Sequence, residues 1–156
     1  MKLQRHLKLS TTESDMQRIR VAFASADRKH VDQHFGSACC FMIYSLTTYG
    51  HELVEVAEFC ETEQEKNHSK LLTKLNLLEG CQAVLCNAVG TTAIIQLLSL
   101  GIQPIRVIPG TTISREISQL QADWLDDPPV WLQKFVQQQQ RHSNRFSIME
   151  EEGWDE

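Results

Sequence analysis

An α/β domain built on a mixed sheet is the fold this chain predicts, and three observations carry it. Short segments rich in branched and aromatic residues recur along the chain, as strands require. From the middle onward they alternate with stretches whose leucines and isoleucines repeat at helical spacing. The resulting order, β-β-β-α-β-α-β-α-α, opens as a meander and closes in crossover units, so the five strands are expected to be partly antiparallel and partly parallel.

The first strand is Ile19-Arg20-Val21-Ala22-Phe23-Ala24 and the second is Cys40-Phe41-Met42-Ile43-Tyr44. A third is expected from Leu53 to Phe59, after the turn signal Tyr49-Gly50-His51, with glutamates between its apolar positions that suit a wetter face or an edge. A helix follows from near His68, where Leu71, Leu72, Leu75 and Leu78 form an amphipathic stripe that Gly80 ends. Ala83-Val84-Leu85-Cys86 reads as a short buried strand. It runs through Asn87-Ala88-Val89-Gly90 into a helix bearing Ala93, Ile94, Leu97 and Leu98, which Gly101 stops. Thr91 and Thr92 are placed to cap that helix. The fifth strand is Pro104 to Ile108, and Pro109-Gly110-Thr111-Thr112 leads into a helix with Ile113, Ile117 and Leu120. A last helix from Val130 to Val136 starts after two prolines and carries Trp131 and Phe135 on one face. On this reading residues 1–18 are a flexible lead-in, residues 19–140 the folded domain and residues 141–156 an acidic disordered tail.

The formal charge of −5 is local in origin: Glu150, Glu151, Glu152, Asp155 and Glu156 all fall in the last seven residues, and the preceding 149 carry fifteen acids and fifteen bases. A balanced body with no basic stripe gives no electrostatic support to nucleic-acid binding. No apolar run approaches the length of a membrane span. The five cysteines are odd in number and no secretory segment precedes the domain, so reduced thiols and a cytoplasmic location are expected. There is no CxxC and no CxxxCxxC, hence no complete linear iron–sulfur or zinc motif. Nor does a short motif supply a nucleophile with its base and orienting acid, which makes an enzyme the weaker class.

Ligands in such sheets gather beyond the carboxyl ends of parallel strands, and two loops have that placement: Ser25 to Gly36 after the first strand and Cys86 to Gly90 after the fourth. They are expected to face one pocket. The first contains Val31-Asp32-Gln33-His34-Phe35-Gly36, in which Asp32 can hold one ring nitrogen of His34 and leave the other for a ligand. Gly36 offers a positive φ and close approach to the backbone. The plainer alternative is that Asp32 and His34 only close a tight turn. Cys86 can offer thiolate to a soft metal or an iron–sulfur core, or it can be a small core residue alongside Cys81. Consecutive strand residues point to opposite faces, so at most one of Cys39 and Cys40 can look into the same site. Asn87, Gly90 and Ser25 complete the candidate set. A carrier site needs no more than a pocket, one or two imidazole or soft ligands, and N–H donors for negative charge.

The segments Val21 to Ser25, Val31 to Gly36, Phe41 to Tyr44, Leu77 to Cys81, Cys86 to Gly90 and Gly101 to Ile105 together resemble the nitrogenase iron–molybdenum cofactor-binding proteins, over roughly residues 19–125. The resemblance implies a ribonuclease-H-like α/β fold without nuclease activity. It also implies a non-catalytic carrier that holds the iron–molybdenum cofactor or its iron–sulfur precursor transiently as cargo, between the radical enzyme NifB and the NifEN scaffold. The family histidine of the HFG segment corresponds to His34, and the matching second loop brings Cys86. A reading from another class is a regulatory module of the nitrogenase system that works through protein contacts, with Trp154 and the acidic tail as its docking segment.

Overall fold

The computed structural model describes residues 18–58 and 67–137. The proposed lead-in, Cys60, the tail and Trp154 lie outside the described residues. Residues 18–121 form one compact unit. Its five-stranded sheet has the order β4-β3-β1-β5-β6, where β1 is Ile19–Ala24, β3 is Cys40–Leu46, β4 is His51–Glu58, β5 is Ala83–Cys86 and β6 is Gln103–Arg106. β3 pairs antiparallel with both β1 and β4, while β5 pairs parallel with both β1 and β6. The mixed sheet is therefore the one expected from a meander followed by crossovers.

Each strand's burial follows its place. The central β1 and β5 are apolar apart from the half-buried Arg20 and almost wholly buried, whereas β4 sits at an edge and exposes most of its length, which accounts for its interleaved glutamates. One face of the sheet contributes Ala22, Ala24, Phe41, Ile43, Val84 and Cys86 to the main core. Two helices close that core: α1, Asn67–Leu77, supplies Leu75, and α2, Thr91–Ser99, supplies Ala93 and Leu97. Gly80 and Gly101 follow these helices at φ +91° and +78°, the left-handed conformation that ends a helix cheaply only in glycine. A third helix, α3, Ile113–Asp126, has Ile113 and Ile117 bordering a cavity with Tyr44 and His51 on the other side of the sheet. Beyond residue 121 the described chain finishes α3 and forms a helix over 130–137, α4, where the two prolines and Trp131 place it.

Two elements were not expected. β2, His30–Val31, and β7, Thr111–Thr112, pair antiparallel as a separate two-stranded ladder. It pins the long first loop to the chain just ahead of α3, with Ile113 N donating to Lys29 O at 2.8 Å.

Candidate functional site

The first loop is ordered mainly by its own polar side chains. Ser25 is wholly buried at the end of β1, where its Oγ accepts the Arg28 N–H at 2.9 Å and donates to Asp27 at 3.2 Å. Asp27 Oδ1 accepts the backbone N–H groups of Lys29 and His30, each at 2.8 Å, and Oδ2 lies 2.6 Å from His30 Nδ1. Those backbone bonds, seconded by the imidazole, hold the Asp27 carboxyl far below the usual carboxylate range. Arg28 takes a positive φ of 67° at the turn and pairs with Glu58.

This arrangement corrects two expectations. Asp32 does not orient His34: its Oδ1 takes the N–H of Ala26 at 2.8 Å, and the aspartate–histidine pair of this loop is Asp27 with His30. Ser25 is committed to the turn and keeps its hydroxyl away from solvent. Gly36 is exposed and is not among the glycines of positive φ, and a Cβ there would meet open space. The turn is held by a bond to its carbonyl, not by left-handed backbone.

The segment around His34 is fixed from behind. Phe35 N donates to Ala88 O at 2.7 Å, Asn87 N donates to Gln33 O at 2.9 Å, and Asn87 Nδ2 donates to Val31 O at 2.9 Å and Val107 O at 3.1 Å. The two loops placed together by topology are thus bonded to each other, with His34 between two anchored peptides. Phe35 drives its ring into the core against Phe41, at a centroid separation of 5.6 Å. Burying that ring stabilises the loop by about 2–3 kcal/mol, and each backbone bond adds about 1 kcal/mol. His34 itself stays exposed. Gln33 closes the loop on its other side, its Oε1 accepting Cys39 N–H at 3.0 Å and its Nε2 reaching Cys39 Sγ at 3.4 Å.

Cys86 is wholly buried in the core cluster. Burial pushes its thiol up to about 11, against the smaller opposing pull of the N–H groups of Ala88 and Phe35 and the charge of Arg106. At neutral pH it is a protonated core residue in this conformation. Cys81 behaves in the same way, also pushed to about 11 by burial. Of the adjacent pair, Cys39 is exposed just ahead of β3 and Cys40 is buried at its start.

Beside the His34 loop lies an open cavity of about 350 Å³, lined by Phe35, Gly36, Leu71, Lys74, Gly90 and Ala93. Thr92 also borders it. The cap of α2 is Gly90 in extended conformation, with no side-chain bond to the first turn, so the threonines do not cap the helix as expected. A bare glycine leaves the first-turn N–H groups accessible, a setting that favours an anion. Lys74 was missed by sequence reasoning. It is only 4% exposed, and its Nζ donates to Phe35 O at 3.1 Å and to Gly36 O. The signal was present, since Lys74 lies on the same helical stripe as Leu71, Leu75 and Leu78, where an apolar residue belongs.

Among the described residues no group of three or more His, Cys, Asp or Glu side chains is placed to hold a metal ion. No described helix is long and apolar enough to cross a membrane. The described site offers an accessible imidazole, an open cavity and backbone donors.

Comparison with known proteins gives a family match. Residues 17–123 match the family described as dinitrogenase iron-molybdenum cofactor. The chain is 44% identical over 153 residues to protein NifX of Azotobacter vinelandii, covering 97% of each chain. It is 32% identical over 142 residues to protein NifX of Klebsiella pneumoniae, covering 90% of this chain and 87% of that one. Among solved structures it is similar to PH0822, with a TM-score of 0.54 and 29% identity over 67% of this chain and 89% of the other.

Proposed function

Because the chain belongs to the dinitrogenase iron–molybdenum cofactor family, we propose that it serves nitrogenase cofactor biosynthesis as a cytoplasmic, non-catalytic carrier of the iron–molybdenum cofactor or its iron–sulfur precursor. One observation carries the reading: His34 is exposed on a peptide anchored through Gln33 and Phe35 to the 87–88 loop, beside a cavity that α2 opens onto. The imidazole supplies one protein ligand to an exposed iron or molybdenum of the cargo. The N–H groups of the first turn of α2 offset the negative charge of the cluster. Asn87, Gly90 and Gly36 act through the backbone they hold or leave open, while Cys86 and Ser25 support the site from within the fold.

A single imidazole is a weak grip, and weakness has a purpose in a carrier. Coordination by several thiolates would retain a cluster, whereas one neutral nitrogen releases it to a recipient with a fuller ligand set. On this reading the cargo comes from NifB and passes to NifEN. The test is anaerobic titration of the apo protein and of His34→Ala with isolated cluster precursor, followed by iron analysis after desalting. The carrier reading expects iron to stay with the parent and to be much reduced in the variant. Iron retained by neither form would overturn it in favour of a regulatory protein-contact role.

A further inference from the structure

We propose that Lys74 is the positioning residue that sets His34 for its cargo; this deepens the carrier reading and rests on it. Lys74 projects from the core-facing stripe of α1 and lies 39 positions from Phe35, yet its ammonium donates to the carbonyls of both Phe35 and Gly36. These carbonyls belong to the two residues that follow His34. The bonds to Ala88 and Gln33 fix the peptides on either side of His34, and the lysine fixes the chain as it leaves. The three contacts together leave the histidine backbone little freedom.

Chemistry argues that the lysine is there for the loop. Burying an ammonium among leucines carries a desolvation penalty that a leucine at position 74 would not meet, and the carbonyl oxygens of Phe35 and Gly36 help repay it while the loop keeps this shape. Lysine and loop therefore hold each other. Gly36 contributes through its backbone carbonyl, which accepts from the ammonium. Lys74 also borders the cavity, so it is coupled to the cargo by position as well as through the loop. A ligand residue is useful only when its own orientation is set by partners behind it, and removing such a partner costs roughly 10–100-fold in metal affinity.

The test uses Lys74→Met, which keeps the length of the stem and removes the donors, Lys74→Gln, which keeps an N–H donor without charge, and Lys74→Arg, which restores both. The first readout needs no cargo: amide hydrogen exchange at Phe35 and Asn87, compared with Phe23 in the central strand. The expected result is exchange about tenfold faster at Phe35 and Asn87 in the methionine form, unchanged at Phe23, and returned toward the parent rate by arginine. The second readout is anaerobic titration with isolated iron–sulfur precursor, where affinity should fall about 10–100-fold in the methionine form and recover with arginine. Parental exchange at Phe35 and Asn87 in Lys74→Met overturns the proposal whether or not cargo binds. Should that variant fail to fold, the same readouts on Lys74→Gln decide the matter. If the parent itself takes up no iron, the carrier reading falls, and the exchange data still decide whether Lys74 holds the loop.

Discussion

Two histidines four residues apart in the same loop are treated in opposite ways. His30 has its ring nitrogen 2.6 Å from Asp27 and its backbone in the β2–β7 ladder, so its side chain is spent on the turn. His34 has its neighbours bonded to the 87–88 loop and its following carbonyls held by Lys74, yet its own ring is exposed. In the first case the side chain builds the structure. In the second the backbone is held and the side chain is left exposed, as the proposed ligand role requires.

The largest effect expected from this contrast is on cargo binding. His34→Ala should reduce affinity for the cluster by more than the roughly 10–100-fold that a supporting residue costs, while thermal stability stays near that of the parent. His30→Ala should leave affinity almost unchanged. Paired titrations of the two variants break the comparison if they behave alike.

Next in size is Asn87, whose amide bonds two backbone carbonyls from two different segments. Asn87→Ala should cost about 1–3 kcal/mol in denaturant unfolding and weaken cargo binding as well, because it frees Val31 ahead of His34. A loss of stability without loss of affinity would show that the 31–36 segment holds its shape without Asn87.

Thiols sharpen the same distinction between exposed and spent groups. Cys39 should react with iodoacetamide in the native protein near neutral pH, and Cys86 and Cys81 should stay silent until it unfolds. Their folded-state values of about 11 lie above the ordinary 9.0. Folding therefore favours the protonated thiol. The stability tied to it is complete below 9.0 and drains away as pH rises toward about 11, because the unfolded chain ionises first. A chemical-denaturation series across that interval should show the decline, and its steepness should lessen in Cys86→Ala.

The smallest effect belongs to Asp27. Its depressed carboxyl pKa means that its contribution to the turn is present above the ordinary 3.8 and is lost as pH falls through the lower folded value. Asp27→Asn should accelerate amide exchange at Lys29 and His30 while affinity for cargo barely moves.

Much of this was legible in the sequence, and the exceptions have physical causes. Strands β1, β3 and β5 declared themselves because buried strands need continuous apolar content, and β4 because an edge tolerates glutamate. Topology then put the 25–36 and 86–90 loops at one end of the sheet. The β2–β7 ladder was invisible because two residues have no period to detect. The choice of aspartate failed because Asp27 sits two and three residues before the N–H groups it accepts, the geometry of a side chain that mimics a turn, whereas Asp32 is drawn back to Ala26. Lys74 was passed over because a long side chain in an apolar stripe usually snorkels outward. Here it finds two carbonyls inside.

The central claim is that His34, and not His30, meets the cargo. Its most direct test is electron–nuclear double resonance on protein labelled with ¹⁵N-histidine and loaded anaerobically with paramagnetic iron–sulfur precursor. The account predicts a ¹⁵N coupling from a single imidazole that persists in His30→Ala and disappears in His34→Ala. A coupling that survives the loss of His34 would contradict it.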